Sequence, residues 1–123
     1  MTKIKAEILK FIVAGFSAVF TDSLVYFLLI RYLNESFSKA ISFISGTIVA
    51  FIINKFWTFN KPNYSLREIF KFAVLYSSTL IVNVSVNFLV LSVLPSWRIF
   101  AFLCATGAST VLNFLGQKFW VFK

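Results

Sequence analysis

The sequence predicts an all-α membrane protein with four transmembrane helices, arranged as a tandem parallel repeat of a two-helix unit. Of its 123 residues, 59% are hydrophobic and only 13% are charged, and the mean hydropathy is +0.87. A soluble domain of this length would leave many of its 17 Phe in water, because a short chain buries only about two-thirds of its surface on folding. Lipid is the solvent that fits this composition.

Four segments with few charges have the length of a membrane crossing and together form a single transmembrane domain over residues 1–123. A helix of about 20 residues crosses a hydrocarbon core of about 30 Å. The second and fourth helices reach this length only if Lys55 and Lys118 lie in their last turns, with ammonium groups extending toward the lipid headgroups. The predicted helices cover approximately residues 11–30, 40–59, 72–94 and 99–122.

The basic residues are distributed unevenly between the two sides of this domain. Nine lie at the termini and in the loop between the second and third helices, against only Arg31, Lys39 and Arg98 on the other side. Because cytoplasmic loops carry an excess of Lys and Arg, we expect both termini in the cytoplasm and a multi-pass protein of the inner membrane. The net charge of +8 flanks apolar segments, which argues against nucleic acid as a partner.

The two halves of the chain, residues 10–60 and 71–123, resemble each other. A shift of 61 residues aligns the first helices and lays Lys10 on Lys71, and a shift of 63 aligns the second helices. The clearest match is the ending Lys-Phe-Trp-x-Phe, which begins at Lys55 and again at Lys118. Since each unit contains two spans, we expect both copies to enter the membrane in the same direction, related by a pseudo-two-fold axis along the membrane normal.

Each predicted helix has one stripe of small or polar residues at helical spacing. Such stripes ordinarily let membrane helices pack closely. The functional alternative is that the stripes converge on a polar cleft that opens toward Lys55 and Lys118 and holds a lipid headgroup. In chain order the stripes are Gly15, Ala18, Asp22 and Tyr26; Ser42, Gly46, Ala50 and Asn54; Tyr76, Thr79, Asn83 and Asn87; and Ala105, Ser109, Asn113 and Gln117.

Asp22 is the acidic residue inside a predicted span. Counted from the inner start of its helix it lies about 17 Å deep, close to the membrane midplane, where we expect no cationic residue. It should then be protonated, bond to amides such as Asn83, or meet a ligand, and ionisable groups at such depth are usually functional. Asp22, Asn83, Asn87 and Asn113 are therefore candidates for contacting a sugar or carrying a proton.

The repeated endings supply candidates for a lipid-phosphate site. Each lysine is preceded by an amide and followed by a tryptophan, and charge-assisted hydrogen bonds from ammonium groups suit a phosphate. The alternative is that a lysine beside a tryptophan only anchors its helix at the interface. The candidate residues are Asn54, Lys55, Trp57, Gln117, Lys118 and Trp120.

Catalytic residues, a metal site and a cofactor are not predicted. The sequence has no His, its acidic residues do not cluster, and no nucleophile, base and orienting group occur together. Cys104 lies in an apolar segment, where a thiol stays protonated and is most simply a core residue.

These residues resemble the GtrA-like family of small four-helix membrane proteins, over Lys10 to Lys123. The resemblance is carried by Lys-Phe-x-Val-x-Gly at 10–15 followed by Asp22, by Asn-Lys-x-Trp-Thr-Phe at 54–59, and by the second ending at 113–122. It implies binding and translocation of polyprenyl-phosphate-linked sugars across the bacterial cytoplasmic membrane, for polysaccharide or teichoic-acid glycosylation beside a membrane glycosyltransferase. The family usually has Arg where this chain has Lys, which removes bidentate geometry toward a phosphate.

Two other functions stay open from the sequence. A non-transporting scaffold would dock a glycosyltransferase through the basic loop 60–71. A proton-coupled exporter of the small multidrug type also has four helices and an acidic residue in the first, but the charge bias and the tandem repeat argue against it. Because four helices enclose little volume, a homo-oligomer is compatible with each function.

Overall fold

The computed structural model describes residues 2–63 and 65–123, which form helices and loops with no β-strand. The helices α2 (Glu35–Ile53) and α4 (Arg98–Gly116) each continue into a five-residue π-helix. All four long helices are long and apolar enough to cross a membrane, which confirms the predicted fold class. They are α1 (Lys3–Leu29), α2 (Glu35–Ile53), α3 (Leu66–Val93) and α4 (Arg98–Gly116), and the π-helices are π1 (Asn54–Thr58) and π2 (Gln117–Val121).

The first helix of each pair begins before its predicted span. Helix α1 begins at Lys3 rather than at residue 11, and α3 at Leu66 rather than at residue 72. The hydroxyl groups of Thr2 and Ser65 accept backbone N–H groups of the first turns, so that each helix is capped outside the apolar segment. The apolar segments locate the spans, whereas the capping residues set where the helices begin.

Helix α2 also begins earlier than predicted, at Glu35 rather than at residue 40. The side-chain Oδ1 of Asn34 accepts the N–H of Phe37 at 2.9 Å and caps this turn. Lys39, which the sequence assigned to a loop, therefore lies in the second turn of α2 and projects from a helix that packs against α1.

The chain divides into two compact units, Met1–Asn63 and Tyr64–Lys123, called unit 1 and unit 2 here. Unit 1 contains α1, α2 and π1, and unit 2 contains α3, α4 and π2. Each predicted repeat, 10–60 and 71–123, falls inside one unit, and the units have the same order of elements. The repeat and the cytoplasmic position of both termini remain predictions.

Small residues bring the two helices of unit 1 together. A Cβ atom on Gly46 would lie 2.7 Å from the carbonyl oxygen of Ala18, so a larger residue does not fit without a shift of one helix. Ser42 and Ala50, one turn to either side of Gly46, are buried. The predicted stripe of α2 thus packs on α1.

Gly15 does not share in this packing, although the sequence placed it on one stripe with Ala18. No atom lies within 4 Å of the position that a Cβ on Gly15 would take. Phe11 and Ala14 are buried instead. The face of α1 that meets α2 therefore runs from Ala18 through Ala14 to Phe11. Residues three or four apart share a helix face, and here the residue four before Ala18 lies on the contact face instead of the residue three before it.

Hydrogen bonds between side chains join the two helices of unit 2. The Oγ1 of Thr79 donates to Oδ1 of Asn113 at 2.7 Å, and Nδ2 of Asn83 donates to Oγ of Ser109 at 3.0 Å. Inside a membrane such bonds add to close packing, since no water competes for these groups. Ala105, one turn before Ser109, is also buried.

Candidate functional site

The repeated Lys-Phe-Trp-x-Phe ending forms a π-helix in each unit. The N–H of Phe59 donates to the carbonyl oxygen of Asn54, and the N–H of Phe122 donates to that of Gln117, both at 2.8 Å. These bonds join residues five apart. Such π-helical turns are rare in proteins overall, but those that occur are often at functional sites. The wider turn buries the last phenylalanine of each motif and leaves the tryptophan exposed.

The amide that precedes each lysine is buried. The Oδ1 of Asn54 accepts the hydroxyl of Thr58 at 2.8 Å, inside π1. Gln117 is fully buried at the start of π2. The role of Asn54 and Gln117 as donors to a phosphate stays a prediction.

Lys55 is buried, with only 4% of its surface exposed. Its Nζ donates to the carbonyl oxygen of Asn63 at 2.6 Å and lies 5.5 Å from the ring centre of Phe56. The N–H of Lys61 donates to the carbonyl of Lys55 at 2.7 Å, and Asn60 has a left-handed backbone with φ of 50°, which lets the chain turn back. The following segment therefore folds over Lys55, and the expectation that its ammonium group extends toward the lipid headgroups stays a prediction.

Lys118, the counterpart of Lys55 in unit 2, is half-buried. Its Nζ lies 5.7 Å from the ring centre of Phe119, at a position equivalent to that of Lys55 over Phe56. The two lysines therefore share one arrangement relative to the neighbouring ring and differ in accessibility.

A second lysine of each unit lies over the exposed tryptophan. The Nζ of Lys10 is 5.4 Å from the Trp57 ring centre, and the Nζ of Lys71 is 5.5 Å from that of Trp120 and donates to its carbonyl at 3.3 Å. Cations over tryptophan gain about 0.5–1 kcal/mol at exposed sites. Lys10 and Lys71 are not among the candidates predicted from the sequence, although the repeat, which lays Lys10 on Lys71, is a signal that points to them.

Asp22 forms an ion pair with Lys39. The Nζ of Lys39 lies 3.1 Å from each carboxylate oxygen of Asp22, and 5.9 Å from the ring centre of Tyr26. The side chains are 61% exposed for Lys39 and 21% for Asp22. The expectation that no cation lies near Asp22 is wrong, because α2 begins at Glu35 and carries Lys39 back along α1.

Asp22 lies nearer to the end of α1 than to its beginning. Helix α1 ends at Leu29, so Asp22 is about 10 Å from that end at about 1.5 Å per residue. It is about 28 Å from the beginning of the helix at Lys3. The charged groups of unit 1 are thus concentrated at its two ends, with small residues between them.

The asparagines proposed for a polar cleft lie inside unit 2. Asn83 and Asn113 bond to Ser109 and Thr79, as described above, and Asn87 is half-buried on the next turn of α3. Asn83 is the residue that the repeat aligns with Asp22. Where unit 1 has an ion pair, unit 2 therefore has a neutral bond between an amide and a hydroxyl group.

Over residues 2–63 and 65–123, no three His, Cys, Asp or Glu side chains lie close enough together to bind a metal ion. The free thiol of Cys104 is half-buried in α4.

Comparison with known families places the chain in one of them. A family model described as GtrA/DPMS, transmembrane domain, matches residues 10–122 and so includes both π-helices. No solved structure matches the chain significantly. The family is linked to translocation of sugars on polyprenyl phosphate in membranes, and its GtrA-like members are generally not catalytic. With four helices long enough to span a bilayer and a match over nearly its whole length, this multi-pass membrane protein belongs to the GtrA/DPMS transmembrane domain family.

Proposed function

We propose that the protein binds polyprenyl-phosphate-linked sugars and flips them across the bacterial cytoplasmic membrane, where they serve polysaccharide or teichoic-acid glycosylation. The observation that carries this proposal is the basic and aromatic end of each unit. There a π-helix brings two lysines beside a tryptophan and a phenylalanine, in unit 1 and again in unit 2. The family match supports the class of substrate.

The phosphate is bound by the ammonium groups at these ends. Hydrogen bonds between an ammonium group and a phosphate are charge-assisted and about twice as strong as neutral ones. Trp57 and Trp120 are exposed, and tryptophan favours the membrane interface, where one side of the ring meets apolar chains and the other meets water. Lysine and tryptophan together therefore suit a molecule with an anionic group at the interface and an isoprenoid chain in the lipid.

The sugar needs polar partners as it crosses, because its hydroxyl groups lose their bonds to water in hydrocarbon. We assign this role to Asp22, Asn83, Asn87 and Asn113. Three of them already form hydrogen bonds within their own unit, so bonds to the sugar hydroxyl groups must replace these bonds. Exchange of one hydrogen bond for another changes the free energy little, which suits facilitated movement without an energy source.

The experiment that tests this proposal combines binding with transport. Purified protein in detergent is heated with polyprenyl phosphate, with the corresponding alcohol as control, and a ligand at about 100 times its Kd should raise the free energy of unfolding by about 2.7 kcal/mol. The same protein in liposomes should move a polyprenyl-phosphate-linked sugar between leaflets. A folded Lys55→Ala, Lys118→Ala double variant that binds and moves the lipid normally would refute the proposal.

A scaffold for a glycosyltransferase is the second candidate, because residues 60–63 are exposed and lie over Lys55. This segment offers a docking surface next to the membrane. If the protein moves no lipid but co-purifies with a transferase at a fixed ratio, and charge reversal at Lys61 abolishes the complex, this function is the correct one. A proton-coupled exporter is disfavoured, since the Asp22 carboxylate is paired with Lys39.

A further inference from the structure

We infer that Lys39 binds the lipid phosphate at the end of unit 1 opposite to π1, and that the Asp22 carboxylate holds the Lys39 ammonium group until the phosphate replaces it. This step rests on the proposed function, because the phosphate is that of the same lipid-linked sugar. It adds a second phosphate site, away from the π-helices. The replaced Asp22 carboxylate can then accept hydrogen bonds from the sugar hydroxyl groups, the role proposed for it above.

The ion pair between Asp22 and Lys39 is open on the lysine side. The Lys39 side chain is 61% exposed, whereas that of Asp22 is 21% exposed. Asp22 is held by packing, since its Cβ lies 3.2 Å from the position that a Cβ on Gly46 would take. A lysine side chain is long and flexible. An anion can therefore reach the ammonium group from its exposed side, and the lysine is the partner that moves.

Asp22 contacts the ammonium group in the way that a phosphate would. Both carboxylate oxygens accept from Nζ of Lys39 at 3.1 Å, and hydrogen bonds from ammonium groups to carboxylates and to phosphates are alike charge-assisted. Because two anions at one ammonium group repel each other, the phosphate replaces the carboxylate instead of joining it. Lys39 keeps a counter-charge throughout, so the exchange costs less than breaking the pair.

Both ends of unit 1 place an ammonium group over an aromatic ring. At the π1 end, Nζ of Lys10 lies 5.4 Å from the ring centre of Trp57, and at the other end Nζ of Lys39 lies 5.9 Å from that of Tyr26. Tryptophan and tyrosine both combine an apolar ring with a polar group, which suits the boundary between lipid and water. The basic and aromatic arrangement that supports a phosphate site at one end thus recurs at the other.

Lys39 lies near the end of its helix, where a lipid phosphate can meet it. It is in the second turn of α2, about 6 Å from the beginning of the helix at Glu35 and about 22 Å from Asn54, the first residue of π1. A lysine near a helix end can extend its ammonium group to the headgroups. With both termini in the cytoplasm, as the uneven distribution of basic residues predicts, this end faces the outer leaflet.

Unit 2 has uncharged residues at the aligned positions, and it supplies the variant for the test. Asn83 is aligned with Asp22, and Phe102 with Lys39. We therefore confine the second phosphate site to unit 1. Asn83 donates to Ser109 at 3.0 Å, so an asparagine at this level of the first helix is compatible with the packing of a helix pair. Asp22→Asn is thus a conservative change that frees Lys39.

The first test measures the Kd of the full chain in detergent for polyprenyl phosphate, with polyprenol and phosphatidylglycerol as comparison lipids. Asp22→Asn should lower the Kd for polyprenyl phosphate about tenfold, because the phosphate no longer competes with a bond to a charged group. Glu35→Gln removes a carboxylate from the first turn of α2 and should change the Kd little. Unchanged or weaker binding by a folded Asp22→Asn variant overturns the inference. An equal gain for phosphatidylglycerol also overturns it, since the contact is then one with any anionic lipid.

The gain in affinity should depend on Lys39. Lys39→Met alone leaves the packed Asp22 carboxylate without a counter-charge, which can prevent folding. The double variant Asp22→Asn, Lys39→Met leaves neither charge at this contact and is the matched partner of Asp22→Asn. It should lose the tenfold gain. A double variant that binds polyprenyl phosphate as tightly as Asp22→Asn overturns the assignment of the phosphate to Lys39.

The second test follows Asp22 in the wild type. Asp22 is the only aspartate of the sequence, so protein made with aspartate labelled with ¹³C at the carboxylate gives one side-chain signal. Polyprenyl phosphate should shift this signal, and polyprenol should not. If Lys55→Ala, Lys118→Ala abolishes phosphate binding but the Asp22 signal of the wild type stays in place, only the inference fails. If that double variant binds and moves the lipid normally, the proposed function fails, and the Asp22 signal still decides whether a phosphate reaches Lys39.

Discussion

In unit 1 the helices α1 and α2 are joined near their connecting loop by an ion pair, whereas the aligned position in unit 2 has a neutral bond. Asp22 meets Lys39 at 3.1 Å, and Asn83 donates to Ser109 at 3.0 Å. An ion pair costs more to remove from water and more to break inside a membrane than a bond between neutral groups. The aligned residues Asp22 and Asn83 thus use different chemistry, and their partners Lys39 and Ser109 lie at positions that are not aligned with each other.

At the other end of each unit, which contains π1 or π2, the lysine of the repeated motif differs in accessibility. Lys55 is covered by the segment that follows π1, and its ammonium group bonds to Asn63. Lys118 lies over the equivalent phenylalanine ring and is half-buried. If both lysines bind a phosphate, unit 2 offers the more accessible ammonium group, and unit 1 must first rearrange. The comparison predicts that the two repeats contribute unequally to lipid binding.

The largest effect is expected when the charge of unit 1 is copied into unit 2. Asn83→Asp introduces a carboxylate where the residue aligned with Lys39 is Phe102. An acidic residue at the centre of a membrane helix costs about 2.5–3.5 kcal/mol on insertion scales, so the variant should unfold at a clearly lower temperature. Adding Phe102→Lys should restore most of the stability. No rescue would show that the ion pair of unit 1 depends on more than the aligned positions.

Lys118→Ala should weaken binding of polyprenyl phosphate more than Lys55→Ala does. Loss of a hydrogen bond to a charged group costs about 1.5–3 kcal/mol, which corresponds to a Kd increased about 10- to 150-fold. Titration of each single variant with polyprenyl phosphate and with polyprenol measures the difference. Equal losses in the two variants would contradict the inequality of the two ends.

The two units also differ in how closely their helices pack at the position of Gly46. Its counterpart in unit 2 is Ser109, so α3 and α4 accommodate a side chain where α1 and α2 do not. Gly46→Ala should destabilise the protein by about 1–3 kcal/mol through overpacking against Ala18. Gly15→Ala, which meets open space, is the control and should have little effect on the melting temperature. A neutral Gly46→Ala variant would mean that α1 and α2 move apart easily.

Hydrophobic segments and helical spacing predicted the four helices and the packing stripe of α2, because both depend on local composition. The Asp22–Lys39 pair was not predicted, because it depends on where α2 begins. The start of α2 depends on the cap at Asn34, which a count of apolar residues does not detect. One additional turn of helix moves Lys39 from a loop to a position beside Asp22.

The accessibility of Lys55 could not be predicted from its motif. Its burial depends on a left-handed residue, Asn60, and on the return of the chain to Asn63, neither of which the repeated ending encodes. Likewise, Lys10 and Trp57 are far apart in sequence, and only the antiparallel register brings them together. The repeat indicated which residues correspond, and the backbone determined which of them are exposed.

The smallest expected effect concerns the lysines over the two tryptophans. Lys10→Ala and Lys71→Ala should each destabilise the protein by about 0.5–1 kcal/mol, the usual range for an exposed cation over an aromatic ring. Lys71→Ala should cost slightly more, because Nζ of Lys71 also donates to the carbonyl of Trp120. Melting temperatures in detergent measure both variants.

The arginine variants separate the ring contact from the charge. Lys10→Arg keeps the positive charge and a planar group that stacks on tryptophan, and should keep most of the stability that Lys10→Ala loses. In Lys71→Arg, the guanidinium group can still donate to the Trp120 carbonyl. If Lys10→Ala and Lys71→Ala instead leave stability unchanged and weaken phosphate binding equally, these lysines belong to the headgroup site, and both units contribute to it equally at this position.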